Sequence, residues 1–156
     1  MENIDIFLDG VFSNKVLAVA FVSWATAQIL KVIINFIVNG KFSLERLIGD
    51  GGMPSAHSAT VTAVALSTGC ECGFDSPLFA VAAIFAFIVM HDAKGVRYET
   101  GKQAKVLNEM MELFKNMGDA KLSNEQKLKE FVGHSPLQVF AGFILGSVIT
   151  AILYSM

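Results

Sequence analysis

Long runs of apolar residues, separated by short polar stretches, dominate the hydropathy pattern of this chain. The first run, residues 16–38, has 23 residues, which is enough to cross the ~30 Å hydrocarbon core of a bilayer with some tilt. Further runs at 54–70, 77–90 and 137–156 predict three more membrane helices. The pattern therefore predicts an all-α integral membrane bundle with about four transmembrane helices.

The only substantial polar segment lies between residues 91 and 135, and part of it is amphipathic. Apolar residues recur there at helical spacing, from Ala104 and Leu107 to Phe114, while charged residues occupy the other faces. We expect this helix to pack on the domain or to lie on the membrane rather than to bind a cofactor. Further on, Ser123 and Gln126 resemble a capping box that would begin a second short helix.

Composition supports the membrane assignment and excludes other classes of protein. Hydrophobic residues make up 53% of the 156 residues and charged residues 17%, which is too apolar for an ordinary soluble domain. The net charge of −2 and the lack of a basic run give no reason to expect nucleic-acid binding. Cys70 and Cys72 match no zinc spacing, so we expect neither a metal nor a cofactor. We interpret residues 1–156 as one domain.

The positions of Lys and Arg predict the side on which each loop lies. Lys41 and Arg46 follow the first apolar run, and eight basic residues lie in the 91–135 segment, but none lies in the 71–76 turn. Because basic residues favour the cytoplasmic side, we expect both termini outside and both longer loops in the cytoplasm. The chain is thus predicted to be a multi-pass protein of the cell membrane, with all three histidines on the cytoplasmic face.

Three polar residues lie inside the first predicted membrane helix. Gln28, Lys31 and Asn35 recur at spacings of three and four, so they share one helix face. Polar residues within a membrane helix are costly and usually face the protein interior or a water-filled cavity. Lys31 could instead extend its charge to the nearer interface. The alignment of all three residues favours a functional role.

Residues 51–58, Gly-Gly-Met-Pro-Ser-Ala-His-Ser, form a polar turn directly before the second apolar run. The glycines let the backbone approach a ligand, and Pro54 is expected in the first helical turn. Free N–H groups at a helix N-terminus attract an anion such as phosphate. Two interpretations stay open for these residues, a phosphate site at the membrane surface or a membrane loop with a capping serine and an incidental histidine.

A second turn of the same kind, Gly133-His134-Ser135-Pro136, precedes the last apolar run. Ser135 is a natural N-cap and Pro136 a natural first helical residue. His134 and His57 could divide the labour in phosphoryl transfer, one attacking phosphorus and the other protonating the leaving oxygen. Basic groups around them would stabilise the charge on the transferred group.

At these residues the chain resembles type 2 phosphatidic acid phosphatases and vanadium-dependent haloperoxidases. The Pro-Ser-x-His motif of that group is similar to residues 54–57, and its last motif is similar to residues 134–146. Nearly the whole chain resembles the divergent bacterial and plant branch of the group. The residues that carry this closer resemblance are Ala27, Gln28, Lys31, the Gly-Gly-Met-Pro-Ser turn, Asp92, and the segments 95–97, 101–108 and 133–137.

The resemblance implies a metal-independent phosphatase that hydrolyses a lipid phosphomonoester or pyrophosphate at the cytoplasmic membrane face. His134 would be the nucleophile that forms a phosphohistidine, and His57 would protonate the leaving group. The substrate would be a lipid phosphate, because the site opens at the bilayer surface, and a homodimer is compatible with so small a bundle. The phosphate would be held by Lys31, Arg46, Gly52, Ser55 and Arg97.

The basic residues depart from the pattern of that family. Lys31 and Arg46 are further apart than the Lys and Arg of its first motif, and Lys41 is an alternative partner. Leu128 occupies the position of an arginine in the last motif, so that Arg97 would have to substitute for it.

A further departure is Gln138, at the position where the family has a carboxylate four residues after the nucleophilic histidine. Glutamine can orient the His134 ring but supplies no charge, and losing such a charge in a related arrangement costs about 10⁴-fold in turnover. Asp92 or Glu130 could compensate as the orienting carboxylate. The alternative function is therefore a catalytically inactive relative that binds a phospholipid head group or a partner. A small transporter is a weaker hypothesis, because no inverted repeat supports it.

Overall fold

A computed structural model describes residues 2–40, 52–116, 128 and 133–156, and these residues form six α-helices with no strand among them. The predicted all-α fold is therefore confirmed. The helices are α1 (Glu2–Phe12), α2 (Lys15–Asn39), α3 (Ala56–Cys72), α4 (Pro77–Lys94), α5 (Val96–Asn116) and α6 (Pro136–Ser155).

Capping side chains explain where most of these helices begin. Each of α2, α3, α4 and α6 has an N-cap whose side-chain oxygen accepts a backbone N–H from the first turn; these caps are Asn14, Ser55, Ser76 and Ser135. Pro136 lies directly after its N-cap, as predicted. Pro54 lies before its N-cap, which is Ser55. The peptide bond between Met53 and Pro54 is cis. The prediction that Pro54 belongs to the first helical turn is wrong.

Helix α3 is the centre of the bundle and contacts α2, α4 and α6. Its buried residues are small, which lets the neighbouring backbones approach closely. A methyl group on Gly142 would collide with the carbonyl oxygen of Ser55, and one on Gly146 would collide with that of Ala59. The close-packing face predicted for Gly142 and Gly146 is thus the surface on which α6 meets α3.

Large apolar side chains of the bundle face outward, which is the reverse of a soluble protein. Among the described residues, the fully buried hydrophobic side chains are alanines and Val19, whereas phenylalanines, isoleucines and leucines are exposed along α2, α4 and α6. Such a surface suits lipid chains, and small residues then form the contacts between helices. In the part of the chain that the structure describes, three helical stretches are long and apolar enough to cross a membrane: Lys15–Val38, Pro77–Phe114 and Pro136–Ser155.

Two contacts along α2 show how it lies against α3. Lys15 Nζ lies 3.9 Å from a carboxylate oxygen of Glu71, so the start of α2 is next to the end of α3. Ala27 belongs to one buried cluster with Ala56 and Ala59, at the start of α3. The two helices are therefore antiparallel, and Lys31, one turn beyond Ala27, lies near the start of α3.

The end of α2, the start of α3, the end of α4 and the start of α6 consequently meet at one end of the bundle. The backbone N–H of His134 donates to the carbonyl oxygen of Ala93 in α4 (3.0 Å), and that of Ser55 donates to the carbonyl oxygen of Gln138 in α6 (3.0 Å). We call this region, around His57, Ala93 and His134, the histidine end.

Candidate active site

His134 is held at the start of α6 and is 1% exposed. The hydrogen bond from its backbone N–H to the carbonyl oxygen of Ala93 ties it to the last turn of α4. Ala93 is itself buried. The main chain of the candidate nucleophile is therefore held by a contact between two residues, Ala93 and His134, that are 41 positions apart in sequence.

Gln138 orients the ring of His134 and also completes the cap of α6. Its Oε1 lies 3.4 Å from His134 Nδ1 and accepts the backbone N–H of Ser135 at 3.0 Å. The Ser135 hydroxyl in turn accepts the backbone N–H of Gln138, which closes a reciprocal capping box. A side chain fixed in this way cannot rotate freely, so its carbonyl oxygen stays beside the imidazole.

The second histidine approaches the opposite side of the ring. His57 lies in the first turn of α3, and its Nδ1 is 3.5 Å from Nε2 of His134. The two rings meet edge to face, with their centroids 5.7 Å apart. Gln138, His134 and His57 thus form a continuous polar line across the histidine end.

This line defines the chemistry that each nitrogen can perform. If His134 Nδ1 carries the proton and donates it to the amide oxygen of Gln138, Nε2 keeps its lone pair. That lone pair points toward His57, whose Nδ1 would then be the donor. In that tautomer one imidazole could act as a nucleophile and the other as an acid, a pairing that phosphoryl transfer can use.

The polar residues of α2 turn toward the bundle interior, as predicted. Lys31 is 4% exposed and Gln28 8%, while Asn35 is half-buried. The antiparallel packing of α2 against α3 brings Lys31 near the start of α3, at the histidine end. Its role in holding phosphate stays a prediction.

Two buried oxygens near this level have no hydrogen-bond partner in the part of the chain that the structure describes. They are Oε1 of Gln28 and Oγ of Ser58. Gln28 lies one residue after Ala27 on α2, and Ser58 lies one residue before Ala59 on α3, so both neighbour the same buried alanine cluster. Buried polar atoms are normally satisfied, so this level of the bundle suits a polar ligand group or a water molecule.

Gly52 and Ser55 lie in the loop that leads into α3. Gly52 has a φ of 92°, which favours glycine, and it is half-buried. The Ser55 hydroxyl is fully buried and accepts the backbone N–H of Ser58 at 3.3 Å. A hydroxyl that accepts can still donate its proton, so Ser55 keeps a donor for a phosphate oxygen.

Asp92 is half-buried in the last turn of α4, next to Ala93 in sequence. Its predicted role as orienting carboxylate stays a prediction, and the side chain described beside Nδ1 of His134 is that of Gln138. Arg46, Lys41 and Glu130 lie outside the described residues, as does the side chain of Arg97.

The structure brings together two of the three histidines that were expected on one face. His91 is exposed on α4, and its ring lies 6.1 Å from that of Phe87. Within residues 2–40, 52–116, 128 and 133–156, no group of three or more His, Cys, Asp or Glu side chains could hold a metal ion.

Sequence reasoning missed two features of this site. The capping-box role of Gln138 could have been recognised from the spacing Ser135-x-x-Gln138, which is the signature of that motif. The contact between Ala93 and His134 has no such signal, because it joins two main-chain atoms of distant segments.

Two comparisons with known proteins identify the family. Residues 12–149 match the model of the Divergent PAP2 family. The chain belongs to the Divergent PAP2 family. This divergent PAP2 protein is also 44% identical over 135 residues to a membrane protein of Bacillus subtilis (strain 168) named YuiD, whose function is described as uncharacterized. The alignment covers 81% of this chain and 85% of YuiD.

No solved structure matched this divergent PAP2 protein. The resemblance drawn from its motifs is confirmed at the level of the family, and the chain is a membrane protein with several candidate spans.

Proposed function

We propose that this divergent PAP2 protein is a metal-independent lipid-phosphate phosphatase that works through a phosphohistidine at His134. The observation that carries the proposal is the polar line at the histidine end. In that line, His134 Nδ1 faces the amide oxygen of Gln138, and His134 Nε2 faces Nδ1 of His57. A lipid phosphate suits this position, because His134 lies at the start of α6 and beside the end of α4, two helices whose large apolar side chains are exposed.

In the first step, the lone pair on His134 Nε2 attacks phosphorus and forms an N–P bond. The bond between phosphorus and the lipid oxygen breaks, and His57 gives its proton to that oxygen. Gln138 accepts the Nδ1–H of the ring, which becomes cationic when Nε2 is phosphorylated.

In the second step, water attacks the phosphohistidine. His57, now neutral, takes a proton from the water as the new P–O bond forms and the N–P bond breaks. Phosphate leaves, and His134 returns to its neutral form while His57 is protonated again. The cycle uses one water molecule and no metal or redox cofactor.

The buried polar groups of α2 and α3 support the binding half of this proposal. Lys31 would balance the negative charge of the phosphate, and Ser55 and the Gly52 backbone would donate hydrogen bonds to its oxygens. Arg46 and Arg97 are proposed as further phosphate ligands on the strength of the family resemblance alone. The proposal includes a site that faces the cytoplasm, and it is supported by the basic residues, most of which lie in the segments at the histidine end.

Phosphate release from a panel of lipid phosphates in detergent micelles, with EDTA present, tests the proposal. The panel contains phosphatidate, phosphatidylglycerophosphate and an isoprenyl pyrophosphate. We expect wild-type release to persist in EDTA and to fall by at least about 10³-fold in His134→Ala, since the nucleophile is lost. His91→Ala, which changes an exposed histidine of α4, is the matched control and should keep wild-type activity. Equal release by wild type and His134→Ala would overturn the proposal.

A second candidate function is binding of a phosphorylated lipid without turnover. Two observations favour it: Gln138 supplies no charge to the imidazolium, and His134 is almost fully buried behind His57. This candidate predicts saturable binding of lipid phosphate by a wild-type protein that releases no phosphate from any member of the panel.

A further inference from the structure

We infer that the exposed apolar face of α5 lies on the surface of the bilayer beside the histidine end. This face, which we call the α5 apolar face, consists of Val106, Leu107, Met110, Leu113 and Phe114, each of them about half exposed or more. The inference concerns how the protein sits in the membrane and does not depend on the proposed catalytic activity.

Helix α5 presents three different faces. Gly101, Ala104 and Asn108 are buried and follow each other at helical spacing. A second face is charged, and there Lys105 and Glu109 form an i,i+4 ion pair with 3.8 Å between charged atoms. The α5 apolar face is the third, so from residue 104 to residue 114 apolar and charged side chains are segregated around the axis, as in helices that lie in a membrane interface.

The start of α5 is tied to the end of a candidate membrane helix. A single residue, Gly95, separates α4 from α5, and its N–H donates to the carbonyl oxygens of His91 (2.9 Å) and Asp92 (3.1 Å). The N–H of Glu99, in the first turn of α5, donates to the carbonyl oxygen of Gly95 (3.1 Å). Helix α5 therefore begins at the point where α4 leaves the hydrocarbon core.

Helix lengths place α5 outside the hydrocarbon core. The 18 residues of α4 extend about 27 Å, close to the ~30 Å thickness of that core. The apolar stretch Pro77–Phe114, which spans α4 and most of α5, has 38 residues and as one straight helix would extend about 57 Å. One crossing of the hydrocarbon core takes the whole length of α4. Helix α5, which follows it, can therefore contact only the surface of the bilayer.

The contacts of Asn108 show which side of α5 is covered by its own chain. Its amide group donates to the carbonyl oxygen of Leu128 (2.9 Å) and accepts the backbone N–H of Leu128 (3.0 Å). Met110 follows Asn108 by two residues, which is about 200° around the helix. The α5 apolar face thus points away from the Leu128 main chain.

The bilayer is the occupant that best fits this face. Exposed apolar side chains also cover α4, including Ile84, Phe87 and Ile88, and α5 begins one residue after that helix, with exposed apolar side chains of its own. Contact with water would leave this apolar patch unburied, whereas headgroups and upper acyl chains would cover it while the Lys105 and Glu109 face stays hydrated.

Site-directed fluorescence quenching tests the inference. In a Cys70→Ser, Cys72→Ser background, which removes the two exposed free cysteines, an environment-sensitive dye is attached to Val106→Cys, Met110→Cys or Leu113→Cys. Lys105→Cys and Glu109→Cys, on the charged face of the same helix, are the matched controls. Each labelled protein is reconstituted in phosphatidylcholine/phosphatidylglycerol vesicles that contain a lipid with a nitroxide near the top of its acyl chain, or is exposed to aqueous iodide.

We expect nitroxide lipid to quench the dyes at 106, 110 and 113 at least about threefold more than those at 105 and 109, and iodide to show the reverse order. Equal iodide quenching at all five positions would overturn the inference. It would also be overturned if 106, 110 and 113 were shielded from both quenchers and formed cross-links between two copies of the chain. Because phosphate release is not the readout, a failure of the proposed function leaves this test intact.

Discussion

His134 Nε2 lies 3.5 Å from His57 Nδ1, a distance at which the two nitrogens face each other directly. An in-line transfer places phosphorus about 3–3.5 Å from the nucleophile, with the leaving oxygen beyond it and within about 3 Å of the acid. These distances add up to about 6 Å or more, so a phosphoryl group enters between the nitrogens only if the rings separate by about 2–3 Å.

The first prediction concerns this separation of the rings. Binding of orthovanadate or inorganic phosphate should change the imidazole NMR signals of His57 and His134, since one ligand enters between them. His91, exposed on α4, should keep its signals and serves as an internal control. Changes confined to His91, or a saturating ligand that alters neither site signal, would contradict this view of the site.

The second prediction concerns the missing charge at position 138. Gln138→Glu keeps an oxygen that can accept the N–H of Ser135 and adds a negative charge beside His134 Nδ1. Because such a charge stabilises the imidazolium and is worth up to about 10⁴-fold in a related arrangement, we expect kcat for lipid phosphate to rise at least about tenfold. Gln103→Glu makes the same change on the exposed surface of α5 and should leave kcat unchanged.

If both variants behave alike, the charge at position 138 is not what limits turnover. Activity that appears only in Gln138→Glu, with a silent wild type, would instead identify the natural chain as a binding protein that keeps an otherwise complete site.

The third prediction concerns the buried cation of α2. Lys31→Met keeps the apolar stem of a side chain that is 4% exposed but removes its charge. A hydrogen bond to a charged group contributes about 1.5–3 kcal/mol, so the Kd for vanadate should rise about 10–100-fold, as measured by isothermal titration calorimetry. Lys15→Met, at the opposite end of α2, is the control. An unchanged Kd in Lys31→Met would remove Lys31 from the phosphate site.

The fourth prediction concerns the glycine contact between α3 and α6. Gly142→Ala forces a methyl group against the carbonyl oxygen of Ser55, and Gly146→Ala does the same at Ala59. Overpacking of this kind costs about 1–3 kcal/mol, so each variant should unfold at a lower temperature than wild type in detergent. Gly10→Ala adds a methyl group that meets nothing within 4 Å and should unfold at the wild-type temperature or slightly above it. Equal unfolding temperatures for all three variants would rule out a tight helix contact.

Local signals in the sequence account for the helices and for several of their contacts. Each apolar run must be covered by lipid or by other helices along its whole length, so the runs predict the long helices. Ser135 and Pro136 mark the start of α6, because capping involves neighbouring residues. The spacing of Gln28 and Lys31 predicts a shared inward face, because residues three positions apart lie on the same side of a helix. Pro54 is the exception, since α3 begins at Ala56, two residues later than local preference indicates.

The candidate site itself is decided by tertiary structure. His57 and His134 are 77 residues apart, and their contact depends on how the backbones of α3 and α6 meet through Gly142 and Gly146. The bond from His134 to the carbonyl oxygen of Ala93 likewise exists only because α4 ends where α6 begins. By itself, the sequence determined which residues are candidates for the site and on which helix most of them lie, because helices and their caps are formed by neighbouring residues. Only the tertiary structure decided which of those residues meet, because contacts between distant segments depend on the packing of whole helices.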